Sequence, residues 1–101
     1  MTEAQVPVAV VHNQPAQRFE VVVDGHLCRA DYERDGDTLR FHHTEVPAAL
    51  GGRGIAAALV RAALDHARAN GLHVLPACSY VRTYMQRHAE TQALLPPGVS
   101  L

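Results

Sequence analysis

From Arg18 to Thr44 the chain alternates residue character three times over, and an Asp-Gly pair marks each place where the alternation breaks. Phe19, Val21 and Val23 alternate with Arg18, Glu20 and Val22. Cys28, Ala30 and Tyr32 alternate with Arg29, Asp31 and Glu33, and Leu39, Phe41 and His43 with Arg40, His42 and Thr44. A period of two is that of a half-buried strand. Asp24-Gly25 is a favoured pair for a two-residue type I′ hairpin, and Asp35-Gly36 marks a second turn. Three strands joined by such short turns predict an antiparallel meander with one polar face.

After the meander the period changes. Residues 55–70 carry Arg61, Asp65 and Arg68 on one stripe and Ile55, Leu59, Ala62 and His66, flanked by Val60 and Leu64, on the rest, which is a helix ended by Asn70-Gly71. "LHVLPAC" then reads as a short buried strand. A second helix is expected from Ser79 to about Ala93, with Ser79 or Thr83 capping its start. Ahead of the meander, Val8 to Val11 could form a first strand with Pro7 at its edge. The expected fold class is α+β: one domain over residues 1–101, with a mixed, mostly antiparallel sheet, a Gly-rich loop leading into a helix, and a second C-terminal helix. Residues from about 94 to 101 are expected to be a loose tail.

Composition excludes more than it assigns. Just under half of the residues are apolar and the formal net charge is −1, so a core can form and nothing draws the chain to nucleic acid or to a membrane. Every basic residue is Arg and none is Lys, which removes lysine nucleophiles and Schiff bases. Cys28 and Cys78 fit no zinc spacing and suggest no disulfide framework. No apolar stretch is long enough to span a bilayer, and a signal-peptide pattern is lacking. These features lead to the expectation of a cytoplasmic protein without a metal.

The segment "EVPAALGGRGIAAALVRAAL" (residues 45–64) places Gly51, Gly52 and Gly54 between a strand and an Ala-rich helix. A helix N-terminus presents unpaired amides and a partial positive charge, and bare glycines let an anion approach it. Arg53 adds a formal charge. The cluster reads equally well as a sharp corner that lets helix and strand pack closely. A P-loop is disfavoured because Gly54-Ile55-Ala56 stands where Gly-Lys-Ser/Thr is required. The dinucleotide pattern G-x-G-x-x-G has no proper register in "GGRGIA".

"GGRGIA" resembles the acetyl-coenzyme A signature Gln/Arg-x-x-Gly-x-Gly/Ala of the GNAT superfamily of N-acetyltransferases. It matches at Gly54 and Ala56 and departs at Gly51, where the family usually has Gln or Arg. "HTEVP" before the loop and "PACSYVRTYMQRH" after it are similar to the minimal, roughly hundred-residue YjdJ-type members, and the element order from Phe19 to His88 is the family's. The resemblance implies that the strands before and after the loop–helix splay apart around the pantetheine arm of acetyl-CoA. Glu45, Val46 and Pro47 would lie beside that arm, and Gly51, Gly52, Arg53, Gly54, Ile55 and Ala56 would hold the pyrophosphate. The thioester would then point toward Cys78, Tyr80 and Tyr84.

Within that frame the Val46 N–H is the candidate donor to the oxyanion, and Tyr84, or else Tyr80, the acid for the departing thiolate. Simple alternation puts Phe41, His43 and Glu45 on the inner face, with Glu45 preferred to His43 as base. Cys78, at a helix N-terminus, is a candidate nucleophile through an acetyl-cysteine intermediate, whereas Cys28 reads as core. The resemblance thus implies an N-acetyltransferase acting on a small amine or a protein amino group, as a monomer or a homodimer. Two other readings stand beside it. One is a non-catalytic acetyl-CoA-binding module using the same loop. The other is an interaction domain whose glycines only form a corner.

Overall fold

The computed structural model describes residues 9–101, so Pro7 and Val8 of the expected first strand lie outside the described residues. The first strand, β1 (Val11–Asn13), begins where that apolar run ends. It is followed by β2 (Arg18–Val23), β3 (His26–Asp35) and β4 (Thr38–Glu45), then α1 (Ile55–Ala69), β5 (His73–Pro76) and α2 (Ser79–Arg87). Short 3₁₀ turns cover Ala48–Leu50 and Ala89–Leu94. The strands form one sheet in chain order, with β1 to β4 antiparallel and β5 parallel to β4. This is the α+β meander with a crossover that the periodicities predict.

The first hairpin has φ of 51° at Asp24 and 78° at Gly25, the two positive values a type I′ turn requires. The second turn is Gly36-Asp37, one residue beyond the Asp35-Gly36 pair, because Asp35 still pairs with Thr38. Phe19, Cys28, Ala30, Tyr32, Leu39 and Phe41 are buried on the inner face of the sheet, as the alternation predicts. Against them α1 packs across β2–β5 with Ile55, Leu59, Val60, Ala63, Leu64 and Ala67 buried, and α2 adds Val81 and Met85. The outer face carries neither helix. Arg18–Glu20, Arg29–Asp31 and Arg40–Glu33 ion pairs cover it instead.

Three expectations are corrected. In β4 the register passes from Asp31↔His43 to Tyr32↔Phe41, so His42 is an extra residue, a β-bulge. The bulge reverses the faces beyond it. Thr44, opposite buried Ala30, turns inward, while His43 and Glu45 turn outward and are exposed rather than sharing the inner face with Phe41. Second, α2 stops at Arg87 instead of about residue 93. His88 leaves the helix at φ −124°, ψ 80°, with both its backbone N–H and its ring Nδ1 on the Tyr84 carbonyl. Third, the tail is not loose: Leu94 is buried, and Leu95 and Leu101 pack against the core.

Candidate active site

The site begins where the only parallel pair of the sheet comes apart. β4 and β5 pair from Thr38↔His73 to Phe41↔Pro76. Past Phe41, β4 bulges and continues along β3 to Glu45, whereas β5 ends at Pro76 and the chain turns toward α2. The last stitch is the Cys78 N–H donating to the Phe41 carbonyl at 2.8 Å. Beyond it the β5-side edge of β4 has no strand partner among the described residues, which leaves a gap between the strand ends. Val46, packed against the core, ends that edge.

Pro47 then starts the 3₁₀ turn whose Leu50 is buried and pins the loop down. Gly51 donates to the Ala48 carbonyl, and a Cβ at Gly51 would sit 3.2 Å from that same oxygen. Gly54, at φ 76°, is the residue from which α1 springs, and no side chain caps it. The first-turn amides of α1 therefore face outward with no intrahelical partner. A left-handed backbone at Gly54 excludes a β-branched residue. Gly52, at φ 80°, has the same requirement although its Cβ would meet nothing. Arg53 does not lean over the helix end. Its guanidinium donates to Asp24 Oδ2 at 2.8 Å across to the β2–β3 turn, an exposed pair of about 0–1 kcal/mol that a phosphate could displace.

Across the gap, Cys78 is the N-cap residue of α2, in place of the expected Ser79 or Thr83, and it caps with no side-chain bond. Its thiol is free and half-buried, and Sγ lies 3.4 Å from Thr44 Oγ1. That contact depends on the bulge, since regular alternation from Phe41 would point Thr44 the other way. Cys28, by contrast, is fully buried, and desolvation pushes its thiol up.

A groove of about 420 Å³ lies between the two helices. Ala57 and Ala58, in the first turns of α1, make its floor, and Arg61, Tyr80, Thr83, Tyr84, Arg87 and His88 make its walls. Burial raises both the Tyr84 and the Tyr80 phenol above the usual value, so each remains a proton donor at neutral pH. The Tyr84 ring lies flat on the His88 imidazole, 4.1 Å between centroids and 16° between planes. Arg61, Arg87 and His88 were not singled out by the sequence as site residues. Ala57 and Arg61 share a helix face at i, i+4, as do Tyr80 and Tyr84, and that paired spacing was the available signal.

Glu45 stands on the outer side of β4, with His43 Nε2 at 3.1 Å and an Arg29 Nη at 3.5 Å. The hydrogen bond from His43, and then the Arg29 charge, hold its carboxyl below the usual range. A carboxylate so engaged is a weak base. The described residues contain no cluster of three His, Cys, Asp or Glu side chains that could hold a metal, and no helix long and apolar enough to cross a membrane.

Comparison with known proteins bears on the family and the fold. Residues 18–94 match the family model described as GCN5-related N-acetyl-transferase. The proteins named NATD1 are similar along nearly the whole chain. The human one is 36% identical over 95 residues, covering 91% of this chain and 84% of its own length, and the Gallus gallus one is 35% identical over 97 residues, covering 93% and 88%. The NMR solution structure of a GCN5-like protein from Staphylococcus aureus superposes with a TM-score of 0.71 over 92% of this chain and 91% of that one, at 24% identity. At that identity it speaks to the fold.

Proposed function

The chain belongs to the GCN5-related N-acetyltransferase family, and from that premise we propose that it takes acetyl-CoA as donor and passes the acetyl group to an amine. The observation that carries the reading is the uncapped, glycine-led N-terminus of α1, which follows β4 past the point where its pairing with β5 ends. Residues 51–56 fit a pyrophosphate there: the first-turn amides of α1 lack intrahelical partners, the positive helix end favours the charge, and the left-handed backbone at Gly52 and Gly54 disfavours larger residues. The groove behind them, with Arg61 and Arg87 on its walls, suits the remaining polyanionic end of the molecule.

The donor supplies an activated thioester, so the chain has mainly to orient, donate and accept. The Val46 N–H, at the end of the unpaired edge, would donate to the carbonyl oxygen as it gains charge. Tyr84 would give its proton to the departing thiolate, and Glu45 would take the amine's proton at the outer rim, through water. Cys78 offers a second route, in which its sulfur forms a bond to the acetyl carbon as the donor's C–S bond breaks and its proton passes to that thiolate. The amine then attacks the acetyl-cysteine and regenerates the thiol. The acceptor would reach the gap from the outer face, which no helix roofs among the described residues, so a protein amino group is admitted as readily as a small amine. Two free thiols suit a reducing compartment such as the cytoplasm.

Calorimetric titration with acetyl-CoA tests the reading. The wild type should bind saturably, and Gly54→Val should bind at least about tenfold more weakly with an unchanged circular dichroism spectrum. Equal affinity in the two would remove the loop from the site. On the same samples, thiol release over a set of amines separates an enzyme from a module that only binds. An acetyl adduct in the intact mass, absent in Cys78→Ala, would select the covalent route.

A further inference from the structure

We propose that His88 is a positioning residue, holding the Tyr84 phenol at one place in the groove between α1 and α2. The inference rests on the reading that Tyr84 serves the transferase site. Tyr84 is half-buried and packs in part against the core, which leaves the exposed part of its ring to be held. Tyr84 is confined by a plate on one side: the imidazole lies parallel to the phenol, 4.1 Å away. The plate is itself fixed. His88 Nδ1 is 2.8 Å from the Tyr84 carbonyl oxygen, which can only accept, so Nδ1 carries a proton and Nε2 is turned away from the backbone. The His88 backbone N–H reaches the same carbonyl at 3.0 Å. His88 therefore grips the backbone of the very residue whose ring it covers.

The 3₁₀ turn after α2 locks the arrangement from the other side. Thr91, buried, donates its hydroxyl to the His88 carbonyl at 2.6 Å, and its N–H goes to the same oxygen at 2.9 Å. This explains why the helix ends at a residue that is neither Gly nor Pro. His88 leaves the helical path there, while its i, i+4 spacing keeps it beside Tyr84. His88 borders both that groove and a second hollow beside it, and Arg61, Asp65 and Arg68 of α1, Arg87 of α2 and Glu90 of the 3₁₀ turn line the two, so the imidazole sits among charges of both signs.

Capping and stacking make different demands, and three substitutions separate them. His88→Phe keeps a plate without the Nδ1 donor, His88→Asn keeps a donor without a plate, and His88→Ala keeps neither. With acetyl-CoA and a reactive amine, His88→Ala and His88→Asn should each lose about tenfold in kcat with KM for acetyl-CoA within about twofold, while His88→Phe recovers most of the loss. Tyr84→Phe should lose at least as much, and adding His88→Ala to it should cost nothing further. Rescue by Asn but not Phe, or additive losses, would overturn the proposal. A second reading needs no turnover. In NMR spectra of the wild type the Tyr84 ring protons should be shifted by the stacked imidazole, and in His88→Ala they should lose that shift. Ring signals indifferent to His88 would overturn the proposal even in an active enzyme. Intact ring signals in a protein without transferase activity would leave the stack standing and remove the function assigned to it.

Discussion

An imidazole that leaves water loses more in its charged form than in its neutral one, and His12 has left it on three sides. Its ring is stacked on Phe19 at 4.1 Å, meets the edge of His66 from α1 at 4.3 Å, and shares a 2.7 Å hydrogen bond with the Tyr32 hydroxyl. Burial first, and the neighbouring His66 second, lower its pKa from 6.5. A histidine depressed in the folded state adds stability that is complete above about pH 6.5 and is lost as pH falls through the folded value. The thermal midpoint should therefore drop between pH 7.5 and 5, and His12→Phe, which keeps the stack and cannot ionise, should flatten part of that fall. A slope identical in the two proteins, followed by differential scanning calorimetry, would contradict the assignment. Nothing near His12 in the chain announces this cluster. It is assembled from β1, β2, β3 and α1, and the contacts that define it are all distant in sequence.

At the scale of elements, the bulge at His42 both bends β4 away from β5 and sets which side chains meet across the gap. Removing it makes a sharp prediction. Deletion of His42 leaves Phe41 opposite Tyr32 and His43 opposite Asp31 in an ordinary ladder, so the fold should survive with a thermal midpoint within a few degrees of wild type. The straightened strand would run on beside β5, and acetyl-CoA affinity, measured by calorimetry, should fall at least about tenfold. The meander was legible because Phe19, Val21, Cys28, Tyr32, Leu39 and Phe41 mark one face unambiguously, and the turn into α1 because three glycines in four positions interrupt both periods. The bulge was not legible. His42, His43 and Thr44 are all polar, so no apolar residue shows where the alternation slips, and that hid the outward turn of Glu45 and the contact between Thr44 and Cys78. The end of α2 was hidden for a similar reason: residues 89–93 have good helical propensity, and only the grip of His88 on Tyr84 stops the helix.

At the scale of the molecule, the described residues build one buried cluster, which should unfold as one cooperative unit. The C-terminal segment belongs to that unit, since Leu95 and Leu101 pack against the core beside buried Leu94. Truncation after Leu94 should lower stability by about 1–3 kcal/mol, several degrees in thermal midpoint, against no change for a dangling tail. The face of the sheet without helices has a further consequence for how partners arrive. Its arginines and carboxylates neutralise one another side by side, from Arg18 with Glu20 to Arg40 with Glu33. The far field above that surface is close to zero, so an approaching amine is neither drawn in nor turned away by long-range attraction. Discrimination among acceptors is left to the last few ångströms, by fit at the mouth of the gap. On the function proposed above, the donor's phosphates would be met by Arg61, Arg87 and a helix pole, and ionic strength should govern that encounter alone.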